Sequence, residues 1–393
     1  MSTMSGRPRI LLVRERDFYV HLAQLAKLLH RHGCDVEVLN TTNAEPEPLY
    51  RDLVTDVRTA GIPCHLVVGR AAPASSAVLA AAFRLRLITK RNVITPFKLR
   101  ESLKVLSTRP PFDLVIAFDP VSLFLAAQMF RSELGRIVEY SLEISDESHI
   151  DFRASRTERS FRRFERRMLP KLRALLIQDR FRAAVLLRHV RRAAAVRTIY
   201  FPVAMAGPGR KPVSGLHTAG VATVMFFGGV WSPAFLRELQ AIAAGLRDGQ
   251  RLVVRGGRGT VTPGPVSGPR FELSTEPIPF DRVNEVIATS DIGLALYPHD
   301  EANSRISAFA SEKVARYLQC AVPFIAFRSE DYAYLRAETG CCELVDRYAE
   351  VPAAVNRIMD NYESYQRGAV AAFDRFYCHD TTGPALVQAL VGD

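Results

Sequence analysis

The segment Ile292–Ala326 reads IGLALYPHDEANSRISAFASEKVARYLQCAVPFIA and decides the fold. Two apolar runs, Ile292–Tyr297 and Pro323–Phe327, have the length of buried strands, and a helix is predicted between them over Ser311–Cys320. Strands that are apolar along their whole length are typical of parallel sheets covered by helices on both faces. The segment therefore predicts a β-α-β unit and an α/β fold class.

The start of this helix carries residues that favour a bound phosphate. Ser311 lies at the expected N-cap position, Lys313 lies in the first turn, and Arg305 precedes them in a polar loop with Asn303, Ser304 and Ser307. The free N–H groups of a helix start, a hydroxyl and two cations together favour a phosphate or diphosphate. A lysine here opposes the helix dipole, which a bound anion would explain. The alternative is a solvated lysine on an exposed helix face.

The pattern N-S-R-x(5)-S-x-K-V-x-x-Y-L-x-C-x-V-P-F-I-A in this stretch resembles the nucleotide-sugar site of GT-B glycosyltransferases. It is similar to the GT4-like branch, whose motif ends S-x-K-hydrophobic-x-E-Y-L-x-x-G-x-P-V-I-A. The likeness extends in outline over most of the chain and is specific only here. It implies two Rossmann-like, doubly wound domains that face a cleft. It also implies sugar transfer from a nucleotide-diphosphate sugar to an acceptor hydroxyl, with retention of configuration and with neither cofactor nor metal.

Three positions depart from the family pattern. The family carries two carboxylates in an E-x7-E motif, the second of which grips a ribose hydroxyl, and the matching positions here are Ala308 and Arg316. Glu312 is the nearest carboxylate, and a rotation of about 100° per helical residue predicts that it is turned away from the face the motif uses. Either other residues bind the ribose, or the donor nucleotide is unusual, or the domain has lost its catalytic activity. Ala321 replaces the family's glycine, which is tolerable if its φ stays negative.

The composition of the chain predicts one domain boundary. The stretch 203–220 is rich in Gly, Pro and Ser and is the expected linker. The resemblance implies that the domain before it, 1–202, binds the acceptor and that the domain after it, 221–376, binds the nucleotide sugar. It also implies that 377–393 contains a helix that crosses back to the first domain.

Further residues of the predicted donor site follow strand ends in the second domain. Glycines after a strand let backbone N–H groups approach a phosphate, and the resemblance implies this role for Gly228 and Gly229. A second glycine turn follows another strand, and the resemblance implies nucleobase contacts in an apolar loop beyond it. The expected nucleoside-binding residues are Arg255, Gly256, Ile278 and Phe280.

Two carboxylates in the first domain are candidates for contact with the acceptor. Asp119 directly follows the predicted strand Leu114–Phe118, where a carboxylate faces the ligand crevice of a doubly wound sheet. Glu143 follows the predicted strand Arg136–Tyr140 in a segment that resembles the acceptor side of this enzyme class. Each carboxylate could equally cap a helix or form an ion pair.

The net charge of +11 is unevenly distributed. Two segments, 84–104 and 153–197, are strongly basic and suit an anionic membrane surface. The first belongs to a predicted helix, 77–106, that is interrupted near Thr95-Pro96. The alternatives are a solvated helix face or a helix packed on the sheet, and no nucleic-acid-binding motif accompanies the charge.

Two further features of the composition bear on where in the cell the protein is located, and two other functions compete with sugar transfer. With no run of 18 apolar residues, we expect neither a signal peptide nor a membrane span. Six cysteines without metal-ligand spacing favour a reduced cytoplasmic location, peripheral on the inner face of the membrane if the basic segments bind it. The rivals to a transferase acting on a glycan, lipid-linked or small-molecule acceptor are a catalytically silent GT-B scaffold and a protein that binds anionic membrane surfaces.

Overall fold

The computed structural model describes residues 6–15, 20–42, 48–68, 90–144, 156–210, 221–230, 232–256, 267–276, 278–297 and 302–392. The chain divides into two compact units, one formed by Met1–Phe201 with Gly383–Asp393 and the other by Pro202–Thr382. In the described part of the chain, each unit is built on one seven-stranded sheet flanked by helices. The predicted fold class of two Rossmann-like, doubly wound domains is confirmed.

The sheet of the first unit is parallel throughout, in the order β3-β2-β1-β4-β5-β6-β7. Its central strands are buried along almost their whole length, as their apolar sequences predict. The strands are β1 (Arg9–Glu15), β2 (Asp35–Thr42), β3 (Cys64–Val68), β4 (Leu114–Phe118), β5 (Ile137–Ser141), β6 (Ala174–Ile177) and β7 (Thr198–Tyr200).

Helices connect these strands. They are α1 (Val20–Arg31), α2 (Pro48–Thr59), α3 (Lys90–Leu106), α4 (Asp119–Met129), α5 (Arg156–Met168) and α6 (Arg180–Leu187). The predicted interruption near Thr95-Pro96 is wrong, because α3 continues through both residues. A proline removes one backbone hydrogen bond and can bend a helix without ending it. The part of that prediction over 77–89 lies outside the described residues.

The sheet of the second unit has the order β10-β11-β9-β8-β12-β13-β14. All neighbouring strands are parallel except β10, which is antiparallel to β11. The strands are β8 (Ala222–Phe227), β9 (Gln250–Arg255), β10 (Ser267–Gly268), β11 (Phe271–Ser274), β12 (Ile292–Ala295), β13 (Phe324–Phe327) and β14 (Cys342–Val345).

The helices of the second unit follow the same alternation. They are α7 (Pro233–Ala244), α8 (Val283–Ile287), α9 (Ala302–Arg305), α10 (Glu312–Gln319), α11 (Glu330–Thr339), α12 (Val351–Asp360), α13 (Tyr362–Ala372) and α14 (His379–Val391). The predicted β-α-β unit is present as β12, α10 and β13. The short helix α9 lies within the segment that was expected to be a loop.

Tyr317 fixes α10 against the sheet. A Cβ atom at Gly293 of β12 would lie 2.5 Å from the Tyr317 ring, so only glycine leaves room for the ring there. The Tyr317 hydroxyl donates to the carbonyl oxygen of Met225 at 3.0 Å and accepts from the N–H of Phe227 at 3.1 Å. Helix α10 is therefore held at a defined place relative to the end of β8.

The boundary between the two units lies just before the predicted linker. Val203 and Met205 are each 2% exposed and belong to the core of the second unit. Their N–H groups donate to the carbonyl oxygens of Phe309 at 2.8 Å and Tyr377 at 2.7 Å. The first residues of the segment 203–220 are thus packed inside the second unit, and residues 211–220 lie outside the described part.

The last helix begins in the second unit and ends in the first. Residues from Gly383 onward belong to the first unit, where Arg197 donates to the carbonyl oxygen of Ala389 at 2.8 Å. None of the described helices combines the length and the apolar character needed to cross a bilayer.

Each sheet reverses its strand order at one point. β1 has β2 on one side and β4 on the other, and β8 lies in the same way between β9 and β12. In open parallel sheets, ligands bind beyond the carboxyl ends of the strands at such a point. The fold therefore indicates two places, the ends of β1 and β4 and the ends of β8 and β12.

Candidate functional site

In the second unit, the turn after β8 meets the first turn of α10. Gly228 has a φ of +135°, which residues with a side chain rarely adopt. A Cβ atom built on Gly228 would lie 3.3 Å from Cε and from Nζ of Lys313. The fold therefore brings together the glycine turn and the lysine that were predicted to form the diphosphate site.

The ammonium group of Lys313 lies over two aromatic rings. Its Nζ is 3.9 Å from the ring centroid of Phe226 and 4.8 Å from that of Tyr297. Burial lowers the pKa of Lys313 to about 7. Among the described residues, no carboxylate forms a salt bridge with this ammonium group. This environment contradicts the alternative of a lysine in bulk solvent.

Ser311 holds the start of α10. Its Oγ accepts the N–H of Val314 at 3.2 Å, so it is the N-cap that the sequence predicted. The same Oγ lies 2.6 Å from the hydroxyl of Tyr297. The Ser311 oxygen is thus engaged with its own helix and with Tyr297. Arg305 ends α9 and is partly buried, and Gly229 is partly buried beside Gly228.

Arg316 occupies the position at which the family has a ribose-binding carboxylate. Its guanidinium group is buried, lies 4.4 Å from the centroid of the Phe280 ring and donates to Oδ1 of Asn284 at 2.9 Å. It also donates from Nε to Oε1 of Glu312 at 2.7 Å. The expectation that Glu312 is turned away is wrong, because residues four apart lie on the same face of a helix.

The position matching the family's first carboxylate is part of the protein core. Ala308 is 0% exposed, and its N–H donates to Oδ2 of Asp331 at 2.7 Å. Its carbonyl oxygen accepts from the hydroxyl of Tyr377 at 2.8 Å. A carboxylate at this position would be buried at a high cost in free energy.

Ala321 adopts a left-handed backbone conformation directly after α10. Its φ is +57°, so the condition of a negative φ, under which the alanine would cost little, is not met. Its N–H donates to the carbonyl oxygen of Leu318 at 3.0 Å, as part of the turn that ends the helix. A helix very commonly ends on a residue of this conformation, usually glycine. The alanine is tolerated here at a cost of about 1 kcal/mol.

The expected nucleoside-binding residues lie at the ends of β9 and β11 and in the segment that follows. Arg255 forms an ion pair with Glu272 on the neighbouring strand, with 3.0 Å between Nη1 and Oε1. The N–H of Gly256 donates to the carbonyl oxygen of Ser274 at 2.7 Å. Ile278 packs against the core that surrounds α10. The ring of Phe280 lies against the guanidinium group of Arg316, which belongs to α10.

In the first unit, Asp119 lies at the point where the strand order reverses. It is a non-glycine residue with a φ of +64°. One carboxylate oxygen accepts from the N–H groups of Leu142 at 2.9 Å and Glu143 at 3.2 Å. The other accepts from Nη1 of Arg14, at the end of β1. Both oxygens are therefore engaged in holding the ends of β1, β4 and β5 together.

Glu143 lies beside Asp119, among several charges. Glu143 is an exposed residue, yet partial desolvation of its carboxyl group raises its pKa, and the negative charge of Asp119 raises it further. The guanidinium groups of Arg182, Arg162 and Arg14 act in the opposite direction. The structure thus brings the two predicted acceptor-side carboxylates together, in an environment where Glu143 can take up a proton more readily than a solvated glutamate.

Several residues of these two places were not identified from the sequence. The sequence patterns do not single out Arg14, Phe226, Tyr297 or Asn284. Each is an ordinary residue in its local pattern, and its importance comes from a partner far away in the chain. The position of Phe226 at the end of a strand before a glycine turn is the one local signal that could have identified it.

Similarity to known proteins is found among solved structures and extends over almost the whole chain. No protein-family model matches it, and no curated protein matches it. Among solved structures, Anabaena HepE in complex with UDP and glucose is similar with a TM-score of 0.65 and 12% identity, over 98% of this chain and 99% of that one. The sucrose-phosphate synthase of Thermosynechococcus elongatus is similar with a TM-score of 0.65 and 12% identity, over 97% of this chain and 98% of that one.

A third similar structure is WaaG, a glycosyltransferase involved in lipopolysaccharide biosynthesis, with a TM-score of 0.57 and 11% identity over 98% of this chain and 100% of that one. At identities this low, the likeness shows the fold alone. Together with the two parallel sheets and their helices, it shows that the chain has the two-domain GT-B fold.

Proposed function

We propose that the protein transfers a sugar from a nucleotide-diphosphate donor to an acceptor hydroxyl. The observation that carries the proposal is the ammonium group of Lys313, which lies against Gly228 and two aromatic rings. A cation that is partly withdrawn from water and has no carboxylate partner is unfavourable in the free protein. A bound diphosphate would supply the missing negative charge.

The chemistry of sugar transfer needs positive charge at this place. As the bond from sugar to diphosphate breaks, negative charge develops on the departing oxygens, and fixed donors stabilise it most when water is excluded. Lys313 and Arg305 would supply charge, and the N–H groups of Gly228, Gly229 and the first turn of α10 would supply hydrogen bonds. Ser311 would keep that turn in place.

The other predicted residues receive roles that follow from their contacts. The donor nucleoside would lie along the ends of β9 and β11, near Arg255, Gly256, Ile278 and Phe280. Glu143 would bind or deprotonate the hydroxyl of a glycan, lipid-linked or small-molecule acceptor. Because its oxygens are engaged, Asp119 would position Glu143 rather than act as the base. We propose a retaining, metal-independent reaction without a cofactor, as the motif resemblance implies.

Calorimetric titration with UDP, GDP, ADP, CMP and TDP tests the donor site. Removing one charged donor to a phosphate is expected to weaken binding about 10- to 100-fold, so Lys313→Met should lose that much affinity for whichever nucleotide binds. Lys171→Met, at an exposed lysine of the first unit, is the matched control and should bind normally. Unchanged affinity in Lys313→Met would exclude the proposed diphosphate site.

A catalytically silent scaffold is a second candidate, favoured by Ala308 and Arg316, which leave both positions of the carboxylate motif without an acid. Incubating the protein with a panel of nucleotide sugars and measuring released nucleotide separates the two. Slow release of nucleotide that is lost in Lys313→Met supports the transferase. Nucleotide binding without any release, with or without added acceptors, supports the scaffold.

A third candidate function, binding to an anionic membrane surface, is favoured by the exposed face of α3. Phe97 is 40% exposed and Leu103 is 45% exposed, with Arg100 and Lys104 exposed between them around the helix. An open groove of about 460 Å³ on this face is lined by Leu99, Arg100, Leu103, Lys104 and Ser107. Apolar side chains flanked by cations suit the boundary of an anionic bilayer.

Helix α5 adds charge to the same layer of the first unit. Both α3 and α5 contact α4, and α5 exposes Arg163 and Arg167. The protein is expected to co-sediment with phosphatidylglycerol vesicles. The Leu103→Ser variant should bind these vesicles less, and the wild type should not bind vesicles of phosphatidylcholine. Val221→Ser, at an apolar residue that is 47% exposed elsewhere, should leave binding unchanged. Equal retention on DNA would instead indicate non-specific attraction to polyanions. Vesicle binding would also support a peripheral location on the inner face of the membrane.

A further inference from the structure

We infer that a buried pair of carboxyl groups, Glu139 of β5 and Glu165 of α5, fixes the guanidinium group of Arg162 near Glu143 and so controls the charge on the acceptor side of the first unit. This inference rests on the proposed function, in which Glu143 binds or deprotonates the acceptor hydroxyl. Glu139, Arg162 and Glu165 are positioning residues, because they would act on the acceptor only through Glu143.

Glu165 occupies a position of α5 at which a hydrophobic residue is expected. It is 0% exposed and lies four residues after Phe161 and three before Met168, which are 5% and 8% exposed. Residues at this spacing share one face of a helix. The rings of Phe161 and Phe164 pack against Phe124 of α4, with centroids 5.6 Å and 5.0 Å apart. Glu165 is therefore held on the inner face of a docked helix.

Glu139 is the buried partner of Glu165. It lies on a strand that is buried along its whole length, and it is 0% exposed. Its carboxyl group is within hydrogen-bonding reach of the carboxyl group of Glu165. Neither of its oxygens accepts a hydrogen bond from an N–H or hydroxyl group of the described residues. Because an ionised carboxylate buried without a donor is very unfavourable, Glu139 carries a proton, which it can donate to Glu165.

One proton and one cation together satisfy the two carboxyl groups. Arg162, one helical turn before Glu165, donates from Nη1 to Oε1 at 3.2 Å and to Oε2 at 3.3 Å. Burial raises the pKa of Glu139, and the negative charge of Glu165 raises it further. Burial also raises the pKa of Glu165, but the charge of Arg162 opposes this effect. Glu165 is therefore the ionised member of the pair, since it accepts the hydrogen bonds of the arginine.

The guanidinium group of Arg162 also acts on Glu143. Its side chain is 12% exposed, so its charge is only weakly screened by solvent. Partial desolvation raises the pKa of Glu143 and the charge of Asp119 adds to this effect. The charges of Arg182, Arg162 and Arg14 lower that pKa. Through Arg162, the buried carboxyl pair therefore influences how readily Glu143 takes up a proton from an acceptor hydroxyl.

Carbon-13 NMR of protein labelled at the side-chain carboxyl carbons of glutamate tests the inference. Titration from about pH 4 to about pH 8 follows the ionisation of Glu143, whose signal is identified by its loss in Glu143→Gln. Arg162→Gln should raise the midpoint of this titration by about 0.5 pH unit or more, since a nearby cation favours the ionised form of a carboxyl group.

The matched control is Arg188→Gln, which removes the same charge at an exposed residue at the end of α6 and should leave the midpoint unchanged. An unchanged midpoint in Arg162→Gln would overturn the inference. An equal shift in Arg188→Gln would overturn it as well, because the effect would then come from net charge and not from the position of Arg162.

Two further variants test the carboxyl pair itself. Glu139→Gln keeps a hydrogen-bond donor toward Glu165 and should leave the midpoint of Glu143 unchanged, because the replaced group is already neutral. Combining Glu139→Gln with Glu165→Gln leaves Arg162 without an ionised partner and should lower that midpoint. If the double variant does not fold, the signal of Glu139 in the wild type decides, and it should be that of a protonated carboxyl group at about pH 6. An ionised Glu139 at that pH would overturn the pair.

These titrations use the protein without nucleotide, so they separate the inference from the proposed function. If Arg162→Gln shifts the midpoint of Glu143 but no nucleotide binds the wild type, the proposed function fails and the control of Glu143 by Arg162 is supported. If nucleotide is released from a nucleotide sugar, the pH of half-maximal release should shift in Arg162→Gln in the same direction as the midpoint. An NMR shift without a shift in the pH profile of release would exclude an action on the acceptor through Glu143.

Discussion

Both sheets place a cation where the strand order reverses, yet the two cations have different surroundings. In the first unit, Arg14 is paired with Asp119, and the side chains are 6% and 15% exposed. In the second unit, Lys313 lies against a glycine turn and two rings, with no salt bridge to a described carboxylate. The same fold thus neutralises one cation with a carboxylate and leaves the other without such a partner among the described residues.

This difference bears on the proposed diphosphate site. A buried ion pair is already satisfied, so Arg14 and Asp119 serve to hold strand ends together. A partly buried cation without a carboxylate is less favourable by itself, and such groups are concentrated at functional sites. The comparison therefore supports the proposed diphosphate site in the second unit and a structural role for the pair in the first.

The largest effect is expected from Asp119→Ala. It removes the carboxylate that pairs with Arg14 and accepts two N–H groups, and breaking such a buried pair typically costs about 3–5 kcal/mol. The measurement is the free energy of unfolding from denaturant titration. Asp119→Asn keeps a side-chain acceptor and should lose less. A loss below that of Asp56→Ala, an exposed ion-pair residue, would contradict the structural role.

An effect of opposite sign is expected from Lys313→Met without ligand. Because burial lowers the pKa of Lys313 from 10.5 to about 7, the charged lysine disfavours folding below that pKa. The penalty decreases as the pH rises above about 7 and is absent above 10.5, where both states are neutral. Lys313→Met should therefore stabilise the protein at pH 6 by roughly 1–3 kcal/mol and much less at pH 9.

The pH dependence separates charge from packing. Unfolding free energies of wild type and Lys313→Met, each measured from pH 6 to pH 9, should converge as the pH increases. If the unfolding free energies of the two proteins stayed parallel across this pH range, burial would not disfavour the charged form of Lys313. Lys313 and Arg14 would then not differ in the way described.

A smaller loss of stability is expected from Gly228→Ala. The φ of +135° is strained for alanine, and the new methyl group would lie 3.3 Å from the end of Lys313. The cost is about 1–2 kcal/mol in stability, with weaker nucleotide binding because the lysine is displaced. Gly268→Ala, with no atom within 4 Å of its added Cβ, is the matched control. Normal nucleotide affinity in Gly228→Ala would separate the glycine turn from the diphosphate site.

The smallest effect is expected from Ala321→Gly. Relief of the left-handed conformation at the end of α10 should stabilise the protein by about 0.5–1 kcal/mol in thermal unfolding. Nucleotide affinity should stay the same, because Lys313 lies at the other end of the helix. Tighter binding in this variant would mean that the donor site depends on the stability of α10 as well as on its charge.

Much of the fold could be predicted from local patterns. Apolar runs fixed the strands on both sides of α10, and Ser311 was correctly identified as its N-cap. The glycine at position 228 and the lysine at 313 were predicted to share a site, and they lie in contact. Local patterns suffice in these cases because strand and helix periodicity and cap chemistry depend on neighbours within a few residues.

Other features depended on contacts between distant parts of the chain. The packing of Val203 and Met205 inside the second unit could not be read from a stretch rich in Gly, Pro and Ser. Asp119 was recognised as facing a crevice, but its pairing with Arg14 was not predicted. The place of Glu312 was misjudged even within one helix, where four residues make a full turn.

The sequence by itself determined the α/β class, most of the strands and helices and the cationic start of α10, since near-neighbour sterics and periodic burial set these features. Only the tertiary structure decided which charges are paired. That outcome depends on strand order, which brings Arg14 and Asp119 together across 105 positions and places Lys313 of α10 beside Phe226 of β8. The electrostatics of a site belong to the fold because Coulomb energies depend on distance in space and on burial, neither of which local sequence contains.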